Sequence, residues 1–218
     1  MASTVGICNR GLSFVGLEDI NSLTEDSAAG RACNLHYDEE RLILLEAFPY
    51  EWATGRQALA KFATNDRPDE WEFKYQRPSG VLTIRFIQDL AVVRAAREGH
   101  RVVSAPYKLA EGAIYSDVDD AWAEWTEDDT DPNNYPPSFR EALSWAVAKT
   151  AAIAITEVAD RLTFAQNGYV AAKERAEMLA LAESDQKNVV VADWLRKRGF
   201  NVVDSDRQPY AEFGVGPY

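Results

Sequence analysis

The sequence is poor in the residues from which active sites are most often built. Among 218 residues there are two histidines, His36 and His100, and two cysteines, Cys8 and Cys33. Neither histidine has a second ligand at the spacing that a zinc site needs. Two thiols without spaced partners make no disulfide framework; they suit a reducing compartment and read as small core hydrophobes. There is no phosphate-cradling glycine loop, nucleophile elbow or paired-cysteine motif. No apolar run reaches the roughly 18 residues that span a bilayer, and residues 1–16 lack the basic start and apolar centre of a secretory signal. These absences predict a chain made in the cytoplasm, with no membrane segment, cofactor or metal, and not an enzyme.

Positive charge is also missing from one stretch. The net charge is −12, and nine acids fall between Glu111 and Asp131 with no Lys or Arg among them. Asp117, Asp119, Asp120, Glu124, Glu127, Asp128, Asp129 and Asp131 are the candidate acidic face. Such a balance disfavours tight DNA binding by phosphate neutralisation, while leaving transient contact with passing DNA open. Asp117, Asp119 and Asp120 resemble the start of a calcium loop, but the glycine and closing glutamate of that loop are absent. Glu124 and Asp128 are the nearest approach to a hydrolytic carboxylate pair, although acids packed this densely usually form a solvated face.

What is present is hydrophobic periodicity. Val5, Cys8, Leu12 and Val15 recur at helical spacing and predict a helix over Ser3–Val15. Asp26 or Ser27 caps a second helix through Phe48, with Ala28, Ala32, Leu35, Leu42 and Leu45 inward and Pro49 stopping it. Between 50 and 134 the helical period disappears. Glu70–Gln76 alternates aromatic and charged residues as a strand, and Val81–Ile87 is rich in β-branched residues. Arg101–Ser104, Ile114–Tyr115 and Ala121–Thr126 read as further short strands; Ala58–Phe62 is a strand or a turn, and Leu90–Arg97 is helical or extended. Ser138 with Glu141 forms a capping box that opens a third helix to Leu162. Asn167-Gly168 breaks the pattern, and a last helix follows over Tyr169–Ser184 with Ala172, Ala176 and Leu179 inward. The stretch from 188 to 218 combines Pro and Gly with Trp194, Phe200, Tyr210, Phe213 and Tyr218, and reads as an arm that docks on a partner.

Several of these segments carry a resemblance. Ile7-Cys8-Asn9-Arg10-Gly11-Leu12, Ser22–Ser27, the exit Ala47-Phe48-Pro49-Tyr50-Glu51-Trp52-Ala53-Thr54, the re-entry Phe139-Arg140-Glu141-Ala142-Leu143 and the turn around Gln166-Asn167 follow one another in order. In that order the chain resembles the phage head-to-tail adaptor family that includes tail tubular protein A of short-tailed phages, over about Thr4 to Lys187. The resemblance implies an α+β, mainly α fold: a four-helix bundle (residues 1–49 and 135–187) with a β-rich lobe (50–134) inserted between helices two and three, plus an extended C-terminal arm (188–218). It implies a structural virion protein of the neck, made in the host cytoplasm, with no membrane partner. Members form rings, usually of twelve copies, that bind the portal protein, give tail or nozzle proteins their attachment surface and line part of the DNA channel used in genome ejection. Another neck or tail-completion protein, or a virion-associated hydrolase using the acidic cluster, are the alternatives.

Overall fold

Ser3 and Ser27 each open a helix in the same way. Both sit in extended backbone, and each hydroxyl accepts the N–H three residues on, at 3.0 Å from Gly6 and 2.9 Å from Gly30. The computed structural model describes residues 2–95, 104–155 and 158–184. Its helices are α1 (Thr4–Phe14), α2 (Ala28–Ala47), α3 (Leu90–Ala95), α4 (Pro137–Ile155) and α5 (Ala159–Ser184). Its strands are β1 (Thr54–Ala58), β2 (Phe73–Gln76), β3 (Val81–Asp89), β4 (Tyr107–Ala110), β5 (Ala113–Ser116) and β6 (Ala121–Glu127).

The expectation of a mainly α four-helix bundle is corrected by these elements. The fold is a mixed α+β one, with five helices and two three-stranded antiparallel sheets among the described residues. Its helices are organised around a hub. Helix α4 buries residues all round its circumference, among them Phe139, Leu143, Ser144, Val147, Ala148 and Ala152, and so takes α1, α2 and α5 on different sides. Helices α1 and α2 meet only over a short stretch, and α5 packs on α4 and the turn at Glu51–Ala53. Small residues permit this approach: a Cβ on Gly11 would lie 2.5 Å from the Ser144 carbonyl oxygen.

Three local readings also change. Helix α4 is described to Ile155 and α5 from Ala159, and α5 runs unbroken through Asn167-Gly168, where a break was expected. A glycine is tolerated there because the Trp145 ring occupies the place where its Cβ would stand. The capping box at Ser138 does not form. Pro137 occupies the first turn, where its missing N–H is harmless, and Glu141 lies 3.8 Å from both Arg10 and Arg175. Finally, Leu35 and Leu179, expected inward, are exposed, and shorter side chains such as Ala172, Ala176 and Ala180 fill the interface of α5.

The strands form two sheets, β1-β6-β3 and β2-β5-β4, that enclose a second core of Tyr75, Ile84, Ile87, Ile114, Ala123 and Trp125. Strands β1 and β4 were not marked by the sequence; Ala58–Phe62 contributes the last residue of β1 and a bridge from Lys61 to Tyr75. Residues 90–95 are helical, and 101–103 lie outside the described residues. On the helical core lies an aromatic cluster of Phe48, Tyr50, Trp52, Tyr135 and Phe139, whose contacting ring centroids lie 4.9–5.8 Å apart. Arg85 of β3 links the sheet to the end of α2, donating to the Phe48 carbonyl at 3.1 Å and to Thr126.

Candidate functional site

The acids that stand together in sequence are parted by β6. Asp117, Asp119 and Asp120 lie in the turn before it, Glu124 and Glu127 along it, and Asp128, Asp129 and Asp131 in the loop after it. Seven residues of strand separate its two ends by about 20 Å. The fold therefore brings the acids to two places.

Most of them are also engaged by partners from other parts of the chain. Glu111 pairs with Arg67 at 3.0 Å, Asp119 with Lys61, and Glu124 with Arg56 at 2.6 Å. Asp117 accepts the Glu72 backbone N–H at 2.9 Å. Arg41, only 4% exposed at its side chain, reaches from α2 to Asp128 at 2.5 Å and donates to the Asp129 carbonyl at 2.9 Å. Burial opposes the Arg41 charge, and the bond to Asp128 with the surrounding carboxylates more than restores it, so the guanidinium pKa is raised. Asp129 accepts from Asn134 at 2.8 Å and from the Asp131 N–H at 2.9 Å. Asp131 accepts the Asn133 N–H, which holds its carboxyl below the usual range. The Lys61 ammonium does the same for Asp119. Glu124, within β6, and Asp128, just past its end, are thus each tied to a guanidinium from a different part of the chain.

Trp194, Phe200, Tyr210, Phe213 and Tyr218, expected to dock on a partner, lie outside the described residues, as does His100. His36 is half-buried on α2. No group of three metal-binding side chains occurs among the described residues, and no described helix is long and apolar enough to cross a membrane.

Two features were not visible in the sequence. The first is a shallow groove of about 540 Å³ on the β lobe, lined by Lys61, Phe62, Asn65, Glu72, Phe73 and Lys74. The Lys61 ammonium stands 4.2 Å over the Phe73 ring and Lys74 stands 5.5 Å from the Phe62 ring. Both lysines are already paired, with Asp119 and Asp66, so the groove presents little free positive charge. The second is a set of large apolar side chains on the outer helical surfaces. Leu35 (72% exposed) and Ile43 lie on α2, Ile153 (63%) at the end of α4, and Phe164, Val170 and Met178 (69%) on α5. Large apolar side chains left in water in such number mark a surface suited to an apolar partner. The signal was present in α5 as apolar residues on both faces, but the sequence alone did not say which face α4 would cover.

No protein-family model matches the chain, and no curated protein matches it in sequence.

Proposed function

We propose that the chain is a structural subunit of a phage neck, an adaptor that joins copies of itself into a ring between a portal protein and the tail or nozzle proteins. The observation that carries this reading is the set of large apolar side chains left exposed on α2, at the end of α4 and on α5. Exposed apolar side chains on more than one helix suit head-to-tail contacts, which close into a ring when the rotation allows it. The order of segments that resembles the adaptor family supports the same reading, although the bundle that the resemblance implied is not the fold. In this proposal the aromatic residues between 188 and 218 anchor the subunit on the portal or on a neighbour, as aromatic anchors commonly do. The two acidic ends of the β lobe face the channel or a basic tail partner, and passing DNA is not held.

Native mass spectrometry and negative-stain imaging of the chain alone and mixed with its portal test the proposal. A ring of defined copy number, or a portal-bound layer, is the expected result. A chain that stays monomeric and unbound at every concentration overturns it. Deleting residues 199–218 with full attachment retained removes the anchoring role of that segment.

A further inference from the structure

Helix α5 has two unlike sides. Ala165, Ala172, Ala176 and Ala180 recur at helical spacing and are buried where α5 packs on α4. Phe164, Ala171 and Met178 stand seven residues apart, so they line up along one face, and all three are exposed. That row lies more than a third of a turn round the helix from the buried alanines and is about 21 Å long. Of the charged residues beside it, Arg175 pairs with Glu141 at 3.8 Å, and Glu174 is exposed.

The sequence that follows α5 is complementary to this row. The 34 residues after Ser184 hold five acids and five bases, so the whole −12 excess belongs to residues 1–184. Within them, Val189-Val190-Val191-Ala192-Asp193-Trp194-Leu195 has six apolar residues of seven, and Arg196-Lys197-Arg198 is the only run of three bases in the chain. An extended stretch of seven residues covers about 23 Å, close to the length of the row. An apolar stretch followed by bases fits an apolar row beside an exposed glutamate on an acidic body.

We propose that residues 189–198 of one copy dock on the outer face of α5 of the next copy. Val189–Leu195 cover Phe164, Ala171 and Met178, and the basic run meets Glu174. Phe164 lies about 30 Å from Ser184, where α5 delivers the segment. Covering it on the same helix would take a reversal within residues 185–188 and a fully extended return; the row of a neighbour sets no such condition. The proposal rests on the neck reading and gives its ring contact a direction. Each subunit offers one segment and accepts one, so closure leaves none unmatched. It leaves Phe200, Tyr210, Phe213 and Tyr218 for the portal.

The test uses the full chain with the photoreactive residue p-benzoylphenylalanine at position 194, mixed from 14N and 15N preparations. Native mass spectrometry counts the particles before irradiation, and crosslinked tryptic peptides are mapped after it. Crosslinks are expected from one isotope to residues 162–173 or 176–187 of the other, the peptides that carry the row. Met178→Asp in the same chain should remove them without loss of helical ellipticity. Crosslinks that fall on other elements, stay within one isotope, do not form or survive Met178→Asp overturn the inference. Rings that persist in those cases leave the neck reading standing, whereas particles that form neither alone nor on the portal overturn that reading itself.

Discussion

Arg41→Met is the most informative single substitution, because one side chain ties the hub region to the acidic loop. It removes the ion pair to Asp128 at 2.5 Å, the bond to the Asp129 carbonyl at 2.9 Å and the weaker contact with Asp38 at 3.4 Å. Methionine retains much of the packing of the arginine stem, so the loss measured is mainly polar. Removing one partner from a fully buried pair destabilises a protein by about 3–5 kcal/mol. Here the guanidinium is buried, but the Asp128 side chain is 33% exposed and can recover some hydration. The expected loss is therefore about 2–3 kcal/mol. At roughly 2–4 °C per kcal/mol for a chain of this size, the melting point should fall by about 4–12 °C. Urea denaturation gives the free energy, and the m-value should not change. Arg56→Met is the matched control: Arg56 bridges Glu51 and Glu124 at 2.7 and 2.6 Å on a more exposed surface and should lose only about 0.5–1 kcal/mol. If Arg41→Met loses no more than Arg56→Met, the acidic loop is not held by the helical layer and the reasoning fails.

Gly168→Ala carries an unusual sign: helix propensity alone favours alanine by about 1 kcal/mol, but the Trp145 ring fills the site of the new methyl group, so urea denaturation should show a less stable protein. Leu35→Asp and Met178→Asp, at exposed positions, should leave stability within about 0.5 kcal/mol yet abolish self-association in sedimentation; assembly that survives both removes these faces from the interface. Acid should weaken the fold through the salt-bridged carboxylates. The pKa values of Asp66, Glu70 and Asp119 are lowered by Lys74, Lys108 and Lys61 respectively. Their contribution is complete above the ordinary carboxylate range near about 4 and is lost as pH falls below it toward the folded values. At the other extreme, burial raises the pKa values of Tyr37, Tyr50 and Tyr135, so stability is complete below about pH 10 and declines above it, with phenolate absorbance and ellipticity changing together.

Periodicity and capping chemistry made α1 and α2 legible almost to the residue, because a serine cap and a proline stop act within one turn of chain. Strand β2 was legible for the same kind of reason, an alternation that only a pleated chain can satisfy. Strands β1 and β4 were not. Arg56-Gln57-Ala58 and Lys108-Leu109-Ala110 face water at sheet edges, and their pairing with β6 and β5 supplies what their side chains do not specify. The course of α5 through Gly168 likewise depended on Trp145, 23 positions earlier in the chain.

For function, the sequence by itself determined the inventory: few histidines and thiols, and a run of acids without bases. Tertiary structure decided how that inventory is used. It spread the acids along β6 and the turns at its ends, engaged four of the nine with bases distant in sequence, and chose which apolar side chains α4 would cover and which would be left in water. Composition fixes how much charge and apolar surface a chain carries, but only packing fixes where each lies, because pairing and burial depend on neighbours that are remote in sequence.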